Sequence, residues 1–163
     1  MNRVLKAVVL FFILTGITWQ AVAFSEADVE KLKSSLKCSN CDLAGADLSG
    51  AKLAGANLTY ANLDKTRFFR AELAGANLTE AVLTGADLFS ADLTGVDLSG
   101  AKLIDAYLED ANLQNANLTG ADLTKAYLET TDLAGANLTQ ANLTGAFLER
   151  TNLENANLTD AVL

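Results

Sequence analysis

The sequence predicts an all-β solenoid whose chain turns four corners in each coil. Three observations support this prediction. Leucine occupies every fifth position from 43 to 163, with Phe68 as the single exception, which gives 25 consecutive five-residue units. All ten glycines in this part of the chain stand two residues after the centre of a unit. Similar units also recur every 20 residues, since AYLED, AYLET and AFLER occupy 106–110, 126–130 and 146–150.

A repeat of five residues fits neither an α-helix nor a flat strand. On a helix, successive leucines would point about 140° apart and surround the rod. In a flat strand, side chains alternate, so successive leucines would point to opposite faces. A corner in each unit turns every leucine toward a common interior. The recurrent glycine indicates where that corner lies.

Two positions in each unit are predicted to be buried. They are the central Leu and the residue two before it, because residues two apart share one face of an extended chain. The second of these is nearly always Ala, with five exceptions: Cys41, Thr66, Val96, Thr131 and Thr151. The residue between them is mostly Asp or Asn, and the two after Leu are polar or small. These three positions are predicted to face solvent.

Units such as ADLSG, AKLAG and ANLTY resemble those of the pentapeptide-repeat family, over residues 41–163. The family implies a right-handed quadrilateral β-helix with Leu or Phe at the central inward position. With four units per coil, the repeat region would form about six coils. Stacked at the strand spacing of about 4.8 Å, these coils would make a rod roughly 30 Å long.

Residues 1–23 are predicted to be a secretory signal peptide. Arg3 and Lys6 provide a positive start, residues 7–17 are apolar, and residues 21–23 match an A-x-A cleavage site. An uncleaved anchor is the alternative, because the apolar stretch approaches the roughly 20 residues that span a bilayer. Cleavage predicts an exported protein without a membrane segment, in the periplasm or, alternatively, in the thylakoid lumen or outside the cell.

The exported chain is strongly acidic. Residues 1–23 hold two of the 12 bases and none of the 20 acids, which leaves a formal net charge of −10. Direct nucleic-acid binding is not expected, because neutralising phosphates requires Lys and Arg. The chain has no histidine and its acids lie on regular faces, so no nucleophile, base and orienting group can be assembled. We expect neither an enzyme nor a bound cofactor.

Residues 24–40 are predicted to form a short capping helix and a cysteine loop. Ser25 stands three residues before Asp28, as in a capping box. The apolar residues share one face of the helix: Val29, Leu32 and Leu36. This face would cover the open edge of the first coil. A partner-binding helix is the alternative.

Cys38 and Cys41 are the only cysteines. In an oxidising compartment they would form a structural disulfide between the helix and the solenoid. A redox couple and half a metal site are the alternatives. A metal would need carboxylate ligands in a chain without histidine. A redox couple usually follows from a helix N-terminus that lowers a thiol pKa, whereas these cysteines follow the predicted helix.

Residues 20 apart are predicted to stack in columns on the outer faces. One face carries a column of amides and acids and a column of hydroxyls, together called here the Asn/Thr ladder: Asn57, Asn77, Asp97, Asn117, Asn137 and Asn157, with Thr59, Thr79, Ser99, Thr119, Thr139 and Thr159. Such side chains can hydrogen-bond along the axis. An ice-binding face is the alternative, although it usually has paired threonine rows that this face lacks.

The neighbouring face is predicted to carry the candidate interaction surface, called here the aromatic–glutamate stripe: Tyr107, Glu109, Tyr127, Glu129, Phe147 and Glu149. Stacked like charges need solvent, a cation or a basic partner, and exposed aromatics often anchor protein interfaces. Residues 65–70, KTRFFR, form a separate irregular stretch and a second candidate contact. Drift of duplicated or weakly constrained repeats would leave either feature without a function.

These features predict a non-catalytic exported scaffold or protein–protein interaction module with an unidentified, basic protein partner. Some members of the family that the chain resembles mimic DNA and bind topoisomerase, an alternative that the acidity fits and the signal peptide disfavours. A redox or metal role of the cysteine pair is a third hypothesis. We also expect an end-to-end homodimer through the C-terminal coil, because an open coil edge invites pairing.

Overall fold

The computed structural model describes residues 24–163, and the predicted signal peptide lies outside them. The described chain consists of one helix, α1 (Glu26–Ser35), followed by a β-solenoid. Each five-residue unit contributes one paired residue to a parallel β-bridge. The bridges join residues 20 apart, beginning with Lys37 and Asn57 and ending with Asn142 and Val162. One coil therefore takes four units, as the 20-residue recurrence predicted.

Helix α1 begins and ends with the expected capping residues. The Ser25 hydroxyl accepts a hydrogen bond from the Asp28 N–H at 3.2 Å, which satisfies one free donor of the first turn. At the other end, Leu36 adopts a left-handed conformation with φ 56°, and its N–H donates to the Leu32 carbonyl. The predicted helix is present. Leu36 lies one residue beyond the helix, where it is half-buried and still packs against the core.

The helix is attached to the first coil by its apolar face and by backbone hydrogen bonds. Val29 and Leu32 are buried in the same core as the central leucines. The Ser25 N–H donates to the Asp42 carbonyl at 3.0 Å. The Asp42 N–H donates in turn to the Asp28 carboxylate at 2.9 Å. Side chains and backbone thus fix α1 against the start of the solenoid.

The interior is filled by the central residues of the units and the small residues two positions before them. From position 43 to position 143, every central residue is at most 2% exposed, and Phe68 is fully buried among the leucines. Burying one such side chain contributes roughly 1.5–3 kcal/mol. The predicted inward pair is confirmed. The inward threonines satisfy their hydroxyls, as Thr131 does by donating to the Leu108 carbonyl at 2.7 Å.

The corner of each unit has a left-handed backbone. The ten glycines of the repeat have φ values between 61° and 73°. Where another residue takes the same position, φ is still positive, from 53° at Lys65 to 60° at Arg150. A residue with a Cβ adopts this conformation at a cost of roughly 1–2 kcal/mol. The repeated coil therefore imposes the corner, and glycine adopts it most easily.

Candidate interaction surface

The structure brings the aromatic–glutamate stripe together on one outer face. Backbone bridges join Tyr107 to Tyr127 and Tyr127 to Phe147. Their rings are stacked, with centroids 4.9 Å apart in both pairs and interplanar angles of 7° and 12°. Tyr107 is 44% exposed and Phe147 is 47% exposed. Three parallel rings therefore form one continuous stack that reaches solvent.

The glutamates beside the rings are not all equally solvated. Glu109 and Glu129 are half-buried, whereas Glu149 is exposed. One carboxylate oxygen, Oε2, of both Glu109 and Glu129 is shielded from solvent and has no hydrogen-bond partner among residues 24–163. Burial raises the pKa of Glu109, a hydrogen bond from its own backbone N–H lowers it in part, and the charges of Glu129, Asp87 and Asp110 raise it. In both side chains, Oε2 lacks the donor that a shielded oxygen requires.

Residues 65–70 lie on this same face, two coils before the stripe begins. Arg67 pairs with Asp87, which pairs with Tyr107. The Phe69 ring stacks on the Phe89 ring with centroids 5.9 Å apart. From the sequence, residues 65–70 are predicted to be a feature separate from the stripe, whereas the structure places them on the same face. The signal that places them here is the 20-residue register, because Arg67 and Tyr107 are 40 positions apart.

The bases of residues 65–70 already have partners. The Arg67 guanidinium lies 3.5 Å from the Asp47 carboxylate, in the preceding coil. The Lys65 ammonium lies 3.8 Å from Asp64. The Arg70 guanidinium lies over the Phe69 ring, 5.0 Å from its centroid. These exposed pairs contribute little stability, and the Arg67 pair directs one positive charge toward the preceding coil.

A groove of about 530 Å³ separates the basic end of the face from the stripe. We call it the Asp87 groove. Asp87 stands in the column where the next three coils carry Tyr107, Tyr127 and Phe147, so the ring stack stops at Tyr107. Gly85 adds no side chain at the nearby corner. The groove is lined by Lys65, Arg67, Phe69, Gly85, Asp87, Phe89, Tyr107 and Glu109.

The Asn/Thr ladder lies on the opposite face, and the expectation that it neighbours the stripe is wrong. Asn117 follows Tyr107 by two units, which is half of a four-unit coil. The expected hydrogen bonds along the axis are present in part of the ladder. Asn117 Nδ2 donates to Asp97 Oδ1 at 3.1 Å, and Asn137 Nδ2 donates to Thr119 Oγ1 at 2.9 Å.

Most hydroxyls of the ladder are engaged within their own units. Thr119 Oγ1 donates to Asn117 Oδ1 at 2.7 Å, and Thr139 Oγ1 donates to Asn137 Oδ1 at 2.6 Å. The Asn117 oxygen also accepts the Thr119 N–H at 3.2 Å. Hydroxyls that already donate within the protein are less free to bind an external ligand. This pattern favours the structural interpretation of the ladder.

The cysteines lie buried at the junction of α1 and the first coil. Cys38 and Cys41 have their Cα atoms 5.2 Å apart and their sulfurs 2.12 Å apart, a placement that fits the expected disulfide. Asp28 adds a third potential ligand atom within 4.8 Å. That is one fewer than the four ligands of a structural zinc site, and one Asp28 oxygen already accepts the Asp42 N–H. The disulfide, redox and metal hypotheses stay predictions.

Two further predictions concern a membrane segment and the C-terminal end of the rod. Among residues 24–163, no helix combines the length and the apolar character needed to cross a bilayer. In the last coil the central Leu148, Leu153 and Leu158 are half-buried, and Leu163 is exposed. The end-to-end homodimer stays a prediction.

The five-residue step and the 20-residue coil define a β-helix with four sides. The family model for pentapeptide repeats (8 copies) matches residues 37–72, 66–103, 91–129, 101–140 and 131–163. The chain belongs to the pentapeptide-repeat family. The comparison with curated proteins gave no match.

The chain is also similar to several solved structures. The chain is similar to trypsin-treated QnrB1, a plasmid-mediated fluoroquinolone resistance protein, with 24% identity and a TM-score of 0.63. The match covers 72% of this chain and 65% of the QnrB1 chain, and it supports a right-handed β-helix. The pentapeptide repeat protein Rfr23 from the cyanobacterium Cyanothece 51142 is 30% identical, over 83% of this chain and 97% of its own, with a TM-score of 0.44. A pentapeptide repeat protein from the Arabidopsis thaliana thylakoid lumen is 36% identical, over 66% and 69%, with a TM-score of 0.38.

Proposed function

We propose that the protein is a non-catalytic, exported interaction module that binds a basic protein through the aromatic–glutamate stripe. One observation carries the proposal. Three stacked rings reach solvent directly beside two carboxylates whose shielded oxygens have no partner among the described residues. Exposed rings supply apolar area that a partner can desolvate. The carboxylates supply negative charge, and a rotation of either side chain would turn its unpartnered oxygen toward a partner's Lys or Arg.

The charge of the chain supports a basic partner. An ionised carboxylate only accepts hydrogen bonds, so Glu109 and Glu129 need donors. The formal net charge of −10 on the exported chain would also attract a cationic protein before contact. This attraction weakens as salt shortens the Debye length, which is about 10 Å at 0.1 M. Binding through the stripe should therefore weaken with salt.

Three other parts of the chain fit a protein that acts outside the cytoplasm: the predicted signal peptide, helix α1 and the cysteine pair. Residues 1–23 direct export, with the periplasm as the expected destination and the thylakoid lumen or the medium as alternatives. Helix α1 caps a stack of about six coils by covering apolar surface with Val29 and Leu32. A disulfide between Cys38 and Cys41 holds the end of that cap against the first coil.

A DNA mimic that binds topoisomerase is the second candidate function. It is supported by the acidic charge and by the fold shared with QnrB1, a fluoroquinolone resistance protein. It requires the mature protein in the same compartment as DNA, which the predicted signal peptide disfavours. Cell fractionation separates the two functions, because finding the mature protein in the cytosol would favour the mimic.

Affinity capture from the protein's own compartment tests the proposed function. The parent is compared with a stripe variant in which Tyr107, Tyr127 and Phe147 are replaced by Ser. A matched control replaces Thr119, Thr139 and Thr159 by Ala on the opposite face. We expect the parent and the control to recover the same partners and the stripe variant to lose them. Equal recovery by all three proteins would contradict the proposal.

A further inference from the structure

We propose that the Asp87 groove binds the planar guanidinium of an arginine side chain, which stacks on the free face of Tyr107. This inference rests on the proposed function, since it assigns the arginine to the basic protein that the stripe binds. It names the group that the partner inserts and the place where the group is held.

The ring stack leaves one aromatic face open to the groove. Tyr107 and Tyr127 are nearly parallel at 4.9 Å, so one face of the Tyr107 ring is covered by Tyr127. The other face is turned toward the preceding coil, where the same column carries Asp87. Coils are spaced by about 4.8 Å, and the rings of this column follow that spacing, so the column has room for one flat group in each coil. A flat group above Asp87 would continue the stack.

The acids at this end of the groove call for a cation with several donors. Glu109 lines the groove, and a rotation of its side chain would turn Oε2, which has no partner among the described residues, toward the bound group. Asp87 also lines the groove, and its Oδ1 accepts the Phe89 N–H at 3.2 Å, which orients the carboxylate. A guanidinium has five donors in one plane and can bond to carboxylates while its face stacks on a ring.

Other groups match the groove less well. A lysine ammonium has the charge but no flat face for Tyr107. A neutral aromatic ring could stack but would leave Glu109 without a donor. Lys65 and Arg67 line the opposite edge, where they pair with Asp64 and Asp47 at 3.8 Å and 3.5 Å. Because like charges repel, a bound cation is favoured on the Glu109 side of the groove.

The same face already contains a contact of this kind. The Arg70 guanidinium lies 5.0 Å from the centroid of the Phe69 ring, within the usual range for a cation above an aromatic face. Phe69 in turn stacks on Phe89, which borders the groove. The proposed arginine would repeat this arrangement on the Tyr107 ring, two coils further along, with the added hydrogen bonds of two carboxylates.

Peptide titration of the mature protein tests the inference. Three capped peptides, Gly-Arg-Gly, Gly-citrulline-Gly and Gly-Lys-Gly, are added to isotope-labelled protein and followed by NMR. We expect the arginine peptide to shift the amide signals of Gly85, Asp87 and Tyr107. Citrulline has a similar shape without the charge and should bind about tenfold more weakly or not at all. No shift with arginine, or equal shifts with citrulline or lysine, would overturn the inference.

Two glutamate variants provide a matched pair. Glu109→Gln removes the charge at the groove, whereas Glu149→Gln removes the same charge from the same column, at the exposed end. We expect Glu109→Gln to weaken arginine-peptide binding about fivefold or more, and Glu149→Gln to change it less than about twofold. Thermal unfolding of both variants establishes that they are folded. Equal effects of the two substitutions would contradict a site at the groove.

The outcome separates this inference from the proposed function. If the stripe captures its partner but the arginine peptide does not bind, the proposed function stands and the groove assignment fails. If the arginine peptide binds but the Ser variant of the stripe still captures every partner, the groove recognises guanidinium and the stripe is not the interaction surface.

Discussion

Glu109 and Glu129 occupy successive coils of one column, and both keep a shielded carboxylate oxygen without a partner among residues 24–163. Each charge raises the cost of the other, because like charges stacked at strand spacing repel. A surface under stability selection alone would favour Gln or Thr at these positions. The pair is therefore central to our proposal that a partner supplies donors to this surface.

The first prediction concerns Glu109→Gln and pH. Burial raises the pKa of Glu109 above its ordinary value of 4.5, so folding favours the neutral carboxyl. The resulting stabilisation is present below the unfolded-state pKa and is lost as pH rises through the folded-state pKa. At pH 7 we expect Glu109→Gln to raise the free energy of unfolding by up to about 1 kcal/mol.

Urea unfolding at two pH values checks this prediction. The gain from Glu109→Gln should shrink near pH 4, where the parent carboxyl is largely neutral in the fold. Glu149→Gln, at the exposed end of the column, should change stability little at either pH. A gain that is the same at both pH values would show that ionisation of Glu109 is not its source.

The second prediction concerns the inward register. Leu118 is 1% exposed in the middle of the rod. An unpaired carboxylate there costs several kcal/mol, so Leu118→Asp should abolish cooperative melting or lower its temperature sharply. Asn115→Asp introduces the same acid at an exposed corner and should leave the melting temperature nearly unchanged. Circular dichroism during heating distinguishes these outcomes, and a parental melting curve for Leu118→Asp would refute the register.

The third prediction isolates the corner geometry. Gly120 has φ 65°, and an added Cβ would meet no atom within 4 Å, so Gly120→Ala introduces backbone strain without a clash. We expect a loss of about 1 kcal/mol in the free energy of unfolding. Gly120→Asn should lose less, because Asn tolerates the left-handed region. Denaturant titration measures both, and an unchanged Gly120→Ala would argue against strain at the corner.

The fourth prediction concerns the cysteines. After export, alkylation without reduction followed by mass spectrometry should leave Cys38 and Cys41 unlabelled. The loop that the disulfide closes is short, so the bond restricts the unfolded chain only slightly and adds little to global stability. Reduction should therefore speed hydrogen exchange in α1 more than in the middle coils. Quantitative labelling of both thiols in the exported protein would defeat the structural disulfide.

The sequence predicted the interior well because one residue type repeats at one spacing. Leu118 and Phe68 could be placed inside from the period alone, and the corners from the glycines. The apolar spacing places Leu36 in the helix, but this residue has the left-handed backbone that ends α1, and its carbonyl accepts the Asn57 N–H at 2.8 Å. The local signal at Ser35 and Leu36 did not encode that contact.

The candidate site was predicted only in part. The stacking of Tyr107, Tyr127 and Phe147 followed from the 20-residue register. The same register relates Arg67 to Tyr107, but a local interpretation of residues 65–70 missed it. The prediction that the Asn/Thr ladder neighbours the stripe was wrong. The two sets of columns are two units apart, and two units are half a coil, so they lie on opposite faces. The unpartnered oxygens of the glutamates depend on side-chain rotamers, which the sequence does not specify.

The central claim is that a partner binds the face of Tyr107, Tyr127 and Phe147, and site-specific photo-crosslinking in the native compartment tests it most directly. Phe147→p-benzoyl-phenylalanine places the reactive group on the stripe, and Asn157→p-benzoyl-phenylalanine places it on the opposite face. The account predicts a discrete, salt-sensitive adduct with a basic protein from position 147 and none from position 157. An adduct from position 157 with none from position 147 would contradict it, as would the same adducts from both.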